Sequence, residues 1–190
     1  MEVMTNPMVL LLSAVYFLLK PTRYAIVFWG PKYVNARLGS GMMESGILSA
    51  LFELAGPIGA LTAGYLSDRL LGTRRVPVIV ISLILLSVVL ISFDHLPADR
   101  WMMGAGFFLI GLLLFAPDSL IAGTASVDFG TRRGASTASG LVNGFGSVGA
   151  VIGTAMFGLT NPRTGFLILG GMSLLAALIM GPRWNAVPKK

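Results

Sequence analysis

The sequence predicts an all-α membrane protein of six transmembrane helices. Three observations carry that prediction. Hydrophobic residues make up 55% of the chain and charged residues only 12%, about half the charged share of ordinary soluble proteins. The mean hydropathy is +0.81, more apolar surface than a soluble fold of 190 residues can hide. The apolar residues also fall into six stretches of about the length that crosses a bilayer, roughly 20 residues each. These are 8–30, 44–66, 76–93, 101–123, 138–159 and 164–181.

The first stretch is unusual in carrying two cations, Lys20 and Arg23. A charge at mid-bilayer costs a few kcal/mol even on lenient scales, so it faces a cavity or a partner. The i, i+3 spacing puts both on one helix face. Pro21 between them withholds a backbone donor and bends the helix, and Thr22 and Tyr24 add hydroxyls. Two readings stay open. Glu53 of the second stretch and Asp118 of the fourth are candidate charge partners, which would make the cations interhelical salt bridges. Alternatively, Arg23 with Lys20 and Tyr24 forms an anion site. Arg offers a planar fork of parallel donors at any relevant pH, and Lys adds a point charge.

The third stretch is free of charge and nearly all Leu, Ile and Val, whereas the second and fifth are rich in small residues. Small residues let helices approach closely. The expectation is that the second and fifth helices pack inside the bundle and the third faces lipid. Gly140/Gly144 and Gly149/Gly153 are two GxxxG pairs for helix packing in the fifth stretch, and Ala60/Gly64 is a small-xxx-small pair in the second.

The connectors orient the bundle. Arg69, Arg74, Arg75, Arg132, Arg133, Arg183, Lys189 and Lys190 fall on one side, and Lys32, Arg37, Arg100 and Arg163 on the other. The richer side is cytoplasmic by the positive-inside rule, which puts both termini there. The N-terminus does not read as an ordinary signal peptide, because it starts with Glu2 and its apolar stretch is too long. The net charge of +6 does not point to nucleic acid, because the basic residues are scattered instead of forming a stripe. With no Cys, there are no disulfides or thiolate metal sites. His95 is a lone loop histidine. Gly144–Gly149 spells GxGxxG but sits in an apolar helix with no preceding strand, and Asp128-Phe129-Gly130 has no other kinase element around it. No nucleophile–base pair is present. We expect no enzyme activity, cofactor or metal.

Gly64-x-x-Ser67-Asp68-Arg69-x-x-Gly72-x-Arg74-Arg75 resembles the loop motif that follows the second helix of a six-helix half in major facilitator transporters. Three further segments resemble the organophosphate:phosphate antiporter group. They are Arg23-Tyr24-x-x-x-x-Trp29-Gly30-Pro31, Phe52-Glu53-Leu54-Ala55-Gly56-Pro57 and the run from Asp128 through Arg132-Arg133 to Gly140. The resemblance covers nearly the whole chain. It implies the C-terminal six helices of a twelve-helix carrier, built as two inverted three-helix repeats. It further implies transport of an organic phosphate by alternating access, in exchange for inorganic phosphate. Arg23 would be the phosphate ligand, and Gly64, Asp68, Arg69, Gly72, Arg74 and Arg75 a cytoplasmic gate. The group's glycerol phosphate carrier has an acidic residue directly before the Trp, where this chain has Phe28, and Tyr where it has Lys20. The partners implied are a missing N-terminal half or a second copy, and the setting a bacterial inner membrane. An empty cleft with unpaired cations is costly to occlude, which favours exchange over uniport. Two alternatives accompany this reading: a membrane sensor related to these carriers, and an inactive remnant of a truncated gene.

The charge bias makes a direct prediction. A single Cys at position 40 should be labelled by an impermeant maleimide on intact cells. Labelling that appears only after permeabilisation reverses the topology.

Overall fold

The computed structural model describes residues 5–72, 74–125, 128 and 134–186. Arg132, Arg133, Lys189 and Lys190 lie outside these, as do Thr73, Phe129 and Gly130. Six helices are each long and apolar enough to cross a membrane: α1 (Pro7–Leu38), α2 (Met42–Tyr65), α3 (Arg75–Phe93), α4 (Arg100–Ser119), α5 (Ala135–Leu159) and α6 (Pro162–Met180). The described residues form an all-α bundle with the six membrane-crossing helices that the sequence predicts.

The helix starts follow local chemistry. Asn6, Asp99 and Asn161 cap α1, α4 and α6 by accepting backbone N–H groups through their side chains, which satisfies donors the first turn leaves open. Pro7 and Pro162 open their helices, where the missing N–H costs nothing. Gly39 ends α1 at φ 61°, a conformation that penalises a Cβ. α2 and α4 end in single π-helical turns, Leu66–Leu70 and Leu120–Ala125.

α1 is longer than the sequence predicted. It continues through Pro31 to Leu38, so Lys32 and Arg37 ride on helix instead of loop. At 32 residues it is roughly 48 Å long, well beyond a hydrocarbon core of about 30 Å. Thr22 and Arg23 are its two central residues.

The helices pack as three close pairs: α1 on α5, α2 on α4, and α3 on α6. Exchanging the first three helices for the last three maps this set of pairs onto itself, as two repeats of three require. Both ends are tied consistently with six alternating crossings. At one end Arg37 pairs with Asp94 and Arg100 with Glu44. At the other, Arg75 reaches Asp68 and Asp128.

The expected burial of α2, α3 and α5 is corrected. Twelve of the 19 residues of α3 are buried, against seven of 24 in α2 and seven of 25 in α5. α3 is clasped by α4 and α6 and shows the apolar stripe Ile81, Ile84, Leu85, Val88 and Ile91, with Ser92 at its end. Small residues bring α2 and α5 close to one neighbour along one stripe and leave the opposite stripe open.

The glycine contacts are corrected in the same way. Gly149 lies against the backbone of Phe17 and Gly153 against Pro21. Pro21 has no N–H to return to the Phe17 carbonyl, and Gly149 comes up against that carbonyl, where a Cα–H contact is feasible. Gly140 and Gly144, by contrast, face open space among the described residues. They floor an apolar groove of about 850 Å³ between α1, α5 and α6. In α2 the close approach to α4 is made by Gly56 on Phe115 and Gly59 on Leu112, whereas Gly64 meets nothing within 4 Å.

Gly149→Ala should therefore destabilise the bundle by about 1–3 kcal/mol, the usual cost of overpacking. Gly144→Ala should stay within about 0.5 kcal/mol. Thermal unfolding of both variants in detergent checks this, and equal stability would contradict the packing.

Candidate functional site

The centre of α1 brings charges from three helices together. The Arg23 guanidinium lies between Asp118 of α4 at 3.5 Å and Glu53 of α2 at 3.5 Å. It rests on the Phe115 ring, 4.6 Å from its centroid. Both polar distances exceed ordinary charge-assisted hydrogen bonds. Asp118 is buried, and its Oδ1 has no hydrogen-bond partner. Glu53 is the opposite case, with a side chain 47% exposed.

Lys20 sits one turn away and is buried. Its Nζ is 3.3 Å from Ser147 Oγ of α5 and 4.9 Å from the centre of the Tyr16 ring. The depth of Lys20 is set by Gly146, since a Cβ there would stand 2.8 Å from Lys20 Cδ. Tyr24 is half-buried and stacks on Phe28.

The structure thus brings Arg23, Lys20, Glu53 and Asp118 into one cluster of two positive and two negative groups. This overturns one expectation. Arg23 is paired with Glu53 and Asp118, so the cost of occluding a bare charge does not supply the case for exchange. The cluster also has an open side, because Arg23 and Glu53 keep 32% and 47% side-chain exposure. Acyl chains cannot solvate an exposed carboxylate. This face therefore requires water or a second protein surface.

Sequence reasoning missed Tyr16, Phe115 and Ser147. Tyr16 is four residues before Lys20 and shares its face, so spacing alone flags it. The run Ser139, Asn143, Ser147 at intervals of four is a polar stripe down α5, linked by side-chain bonds to the carbonyls of Ser139 and Asn143.

The second cluster lies at the far end of α2. Arg75 is buried and bonds Ser67, Asp68 and Asp128. Asp68 thus pairs with a basic residue. Gly72 turns the chain at φ 57°. Arg69 and Arg74 are exposed. Asp128 comes from the α4–α5 connection, so the clamp ties the two three-helix repeats together.

A family model described as Major Facilitator Superfamily matches residues 12–189. The chain is 30% identical over 168 residues to Sugar phosphate exchanger 3 of Bos taurus, covering 85% of this chain and 34% of that protein. It is 31% identical over 190 residues to the Probable hexose phosphate transport protein of Chlamydia muridarum, covering 97% and 41%. It is 37% identical over 152 residues to the Membrane sensor protein UhpC of Escherichia coli, covering 78% and 34%. The chain therefore spans about a third to two-fifths of the length of these relatives.

Arg75→Gln should cost about 1.5–3 kcal/mol, the range for hydrogen bonds to charged groups. Asp68→Asn should cost less, because Asp68 is the more exposed partner. Chemical denaturation in detergent micelles ranks the two, and the reverse order would remove Arg75 from the centre of the clamp.

Proposed function

The chain belongs to the Major Facilitator Superfamily, and on that premise we propose that it forms one wall of a carrier for organic phosphates. The carrier works by alternating access, in exchange for inorganic phosphate. A second six-helix half or a second copy of the chain forms the other wall. The observation that carries this is the open, charged face at the midpoint of α1, where a permanent cation meets a side that lipid cannot cover. Relatives whose names refer to sugar phosphate exchange and hexose phosphate transport give the ligand class.

Arg23 is the phosphate ligand of this half, with Lys20 adding charge and Tyr24 a hydroxyl. A phosphate dianion competes with Glu53 and Asp118 for the Arg23 fork. In the empty state those carboxylates hold Arg23 and so bridge α1 to α2 and α4. A bound anion loosens both bridges, so the loaded form reorients more readily than the empty one. Exchange follows from this lock, not from a bare charge. Asp68, Arg69, Arg74 and Arg75 form the cytoplasmic gate. It opens by breaking Arg75 from Asp68 and Asp128. The setting is a bacterial inner membrane with both termini cytoplasmic.

A second reading, a membrane sensor, is favoured by one observation: identity to the sensor protein is 37%, against 30% and 31% for the transport proteins above. Measured flux against ligand-dependent signalling separates the two.

Arg23→Lys distinguishes a ligand from a structural ion pair. A charge pair tolerates Lys, whereas a bidentate phosphate site loses about 1.5–3 kcal/mol of affinity. Phosphate binding measured beside protein abundance, with the complementary half present, is the test. Unchanged affinity removes Arg23 from the site. The 190-residue chain alone should give no phosphate exchange in liposomes. Robust exchange would point to a homodimer.

A further inference from the structure

A groove of about 410 Å³ opens at the Arg75 end of the bundle, lined by Leu71, Gly72, Arg74, Pro77, Ile81 and Trp184. It lies between the start of α3 and the turn Gly181–Arg183 that follows α6 and packs on α3. Two backbone bonds fix that turn. Trp184 N–H donates to the Gly181 carbonyl at 3.0 Å, and Ala186 N–H to the Arg183 carbonyl at 2.8 Å. Charge at this end is unbalanced. Among the described residues, Arg69, Arg74, Arg75 and Arg183 stand against two acids, Asp68 and Asp128. Both acids bond Arg75. Arg74 and Arg183 are exposed, and no acid among the described residues pairs with either. No side chain caps the start of α3, and its first turn holds no acid. The positive end of that helix adds to the same field.

The groove joins this field to the apolar flank of α3. Ile81 lines it and begins the exposed stripe that continues through Ile84, Leu85 and Val88. Trp184 is 40% exposed, and an indole beside a charged rim is the usual anchor at the level of lipid headgroups. α3 supplies no residue to the charged cluster on α1, and acyl chains are the medium its stripe suits. A cation at the rim, an indole beside it and an apolar floor running down the helix match a phospholipid. We propose that this groove binds one anionic phospholipid, with its phosphate on Arg74 and an acyl chain on Ile81 and the stripe below. The guanidinium fork suits phosphate oxygens, and basic pockets between helices are known to hold anionic headgroups. Arg183, next to Trp184 in the sequence, adds a second cation. A soluble phosphate would leave Ile81 and Trp184 uncovered. A zwitterionic lipid would bring an ammonium group, and both acids here already bond Arg75. The proposal needs only that the helices cross a bilayer, and is independent of what the cluster on α1 carries.

The test places the full 190-residue chain in nanodiscs of equal parts phosphatidylglycerol and phosphatidylcholine with identical acyl chains. Native mass spectrometry then counts the lipids that leave the disc with the protein. Phosphatidylglycerol should be retained in about tenfold preference over phosphatidylcholine. Arg74→Gln should cut that preference about fivefold, and Arg74→Lys should keep most of it. Trp184→Ala and Ile81→Ala change no charge, yet each should cut it about threefold or more. All three side chains are exposed, so these variants keep the fold. Arg163→Gln, an equal charge change at the opposite end of α6, should leave the preference within about twofold. Equal retention of the two lipids overturns the proposal. So does a preference that Arg74→Gln removes but both Trp184→Ala and Ile81→Ala keep, which is attraction to surface charge without a groove. Release of the lipid by inorganic phosphate, beyond that caused by a chloride salt of equal ionic strength, assigns Arg74 to a soluble anion and also overturns it.

Discussion

Everything at the centre of this bundle depends on compensating a permanent charge in a low-dielectric slab. An arginine side chain is a lasting charge, so the protein has to supply counter-charge or water. It supplies counter-charge from two directions, Glu53 on α2 and Asp118 on α4. The helices that provide them are those whose small residues permit the closest approach, with Gly56 and Gly59 of α2 against α4. Packing and electrostatics are thus one arrangement. The glycines set the distance between backbones, and that distance sets how near the carboxylates come to the guanidinium.

The compensation is complete in charge but loose in geometry. Separations of 3.5 Å and a buried Asp118 oxygen without a partner describe an ion cluster that has not closed on itself. A cluster built only for stability would satisfy every lone pair, because each one left open in the interior costs free energy. The tight, fully engaged cation is Arg75 instead, with three partners beyond the far end of α2. The molecule puts its firm electrostatics at one end of the bundle, around Arg75, and its yielding electrostatics at the middle.

Much of this was legible in the sequence. Six spans, the identity of the central cations and their acidic neighbours all follow from hydropathy and from the cost of charge in lipid. Asp118 and Glu53 stood out because they are acids in apolar stretches. What the sequence did not show was which side of a glycine-rich helix does the packing. Gly140, Gly144, Gly149 and Gly153 share one spacing pattern, and only the rotation of α5 about its axis tells the contact pair from the open pair. The length of α1 was also hidden, because Pro31 reads as a helix end in one dimension and is absorbed by the bundle in three. Phe115 was invisible as a support for Arg23, because an aromatic in an apolar span carries no signal of what lies above it.

Gly146 ties these themes together. Its missing side chain is the space in which Tyr16 and the stem of Lys20 lie. The charge on Lys20 is therefore positioned by an atom that α5 does not have. A methyl group at that place would change no charge and remove no hydrogen-bonding atom, and would still lift the ammonium away from Ser147. In a mutational survey scored by growth, such a change would be filed with the folding defects, although its direct effect would be on where the Lys20 ammonium sits.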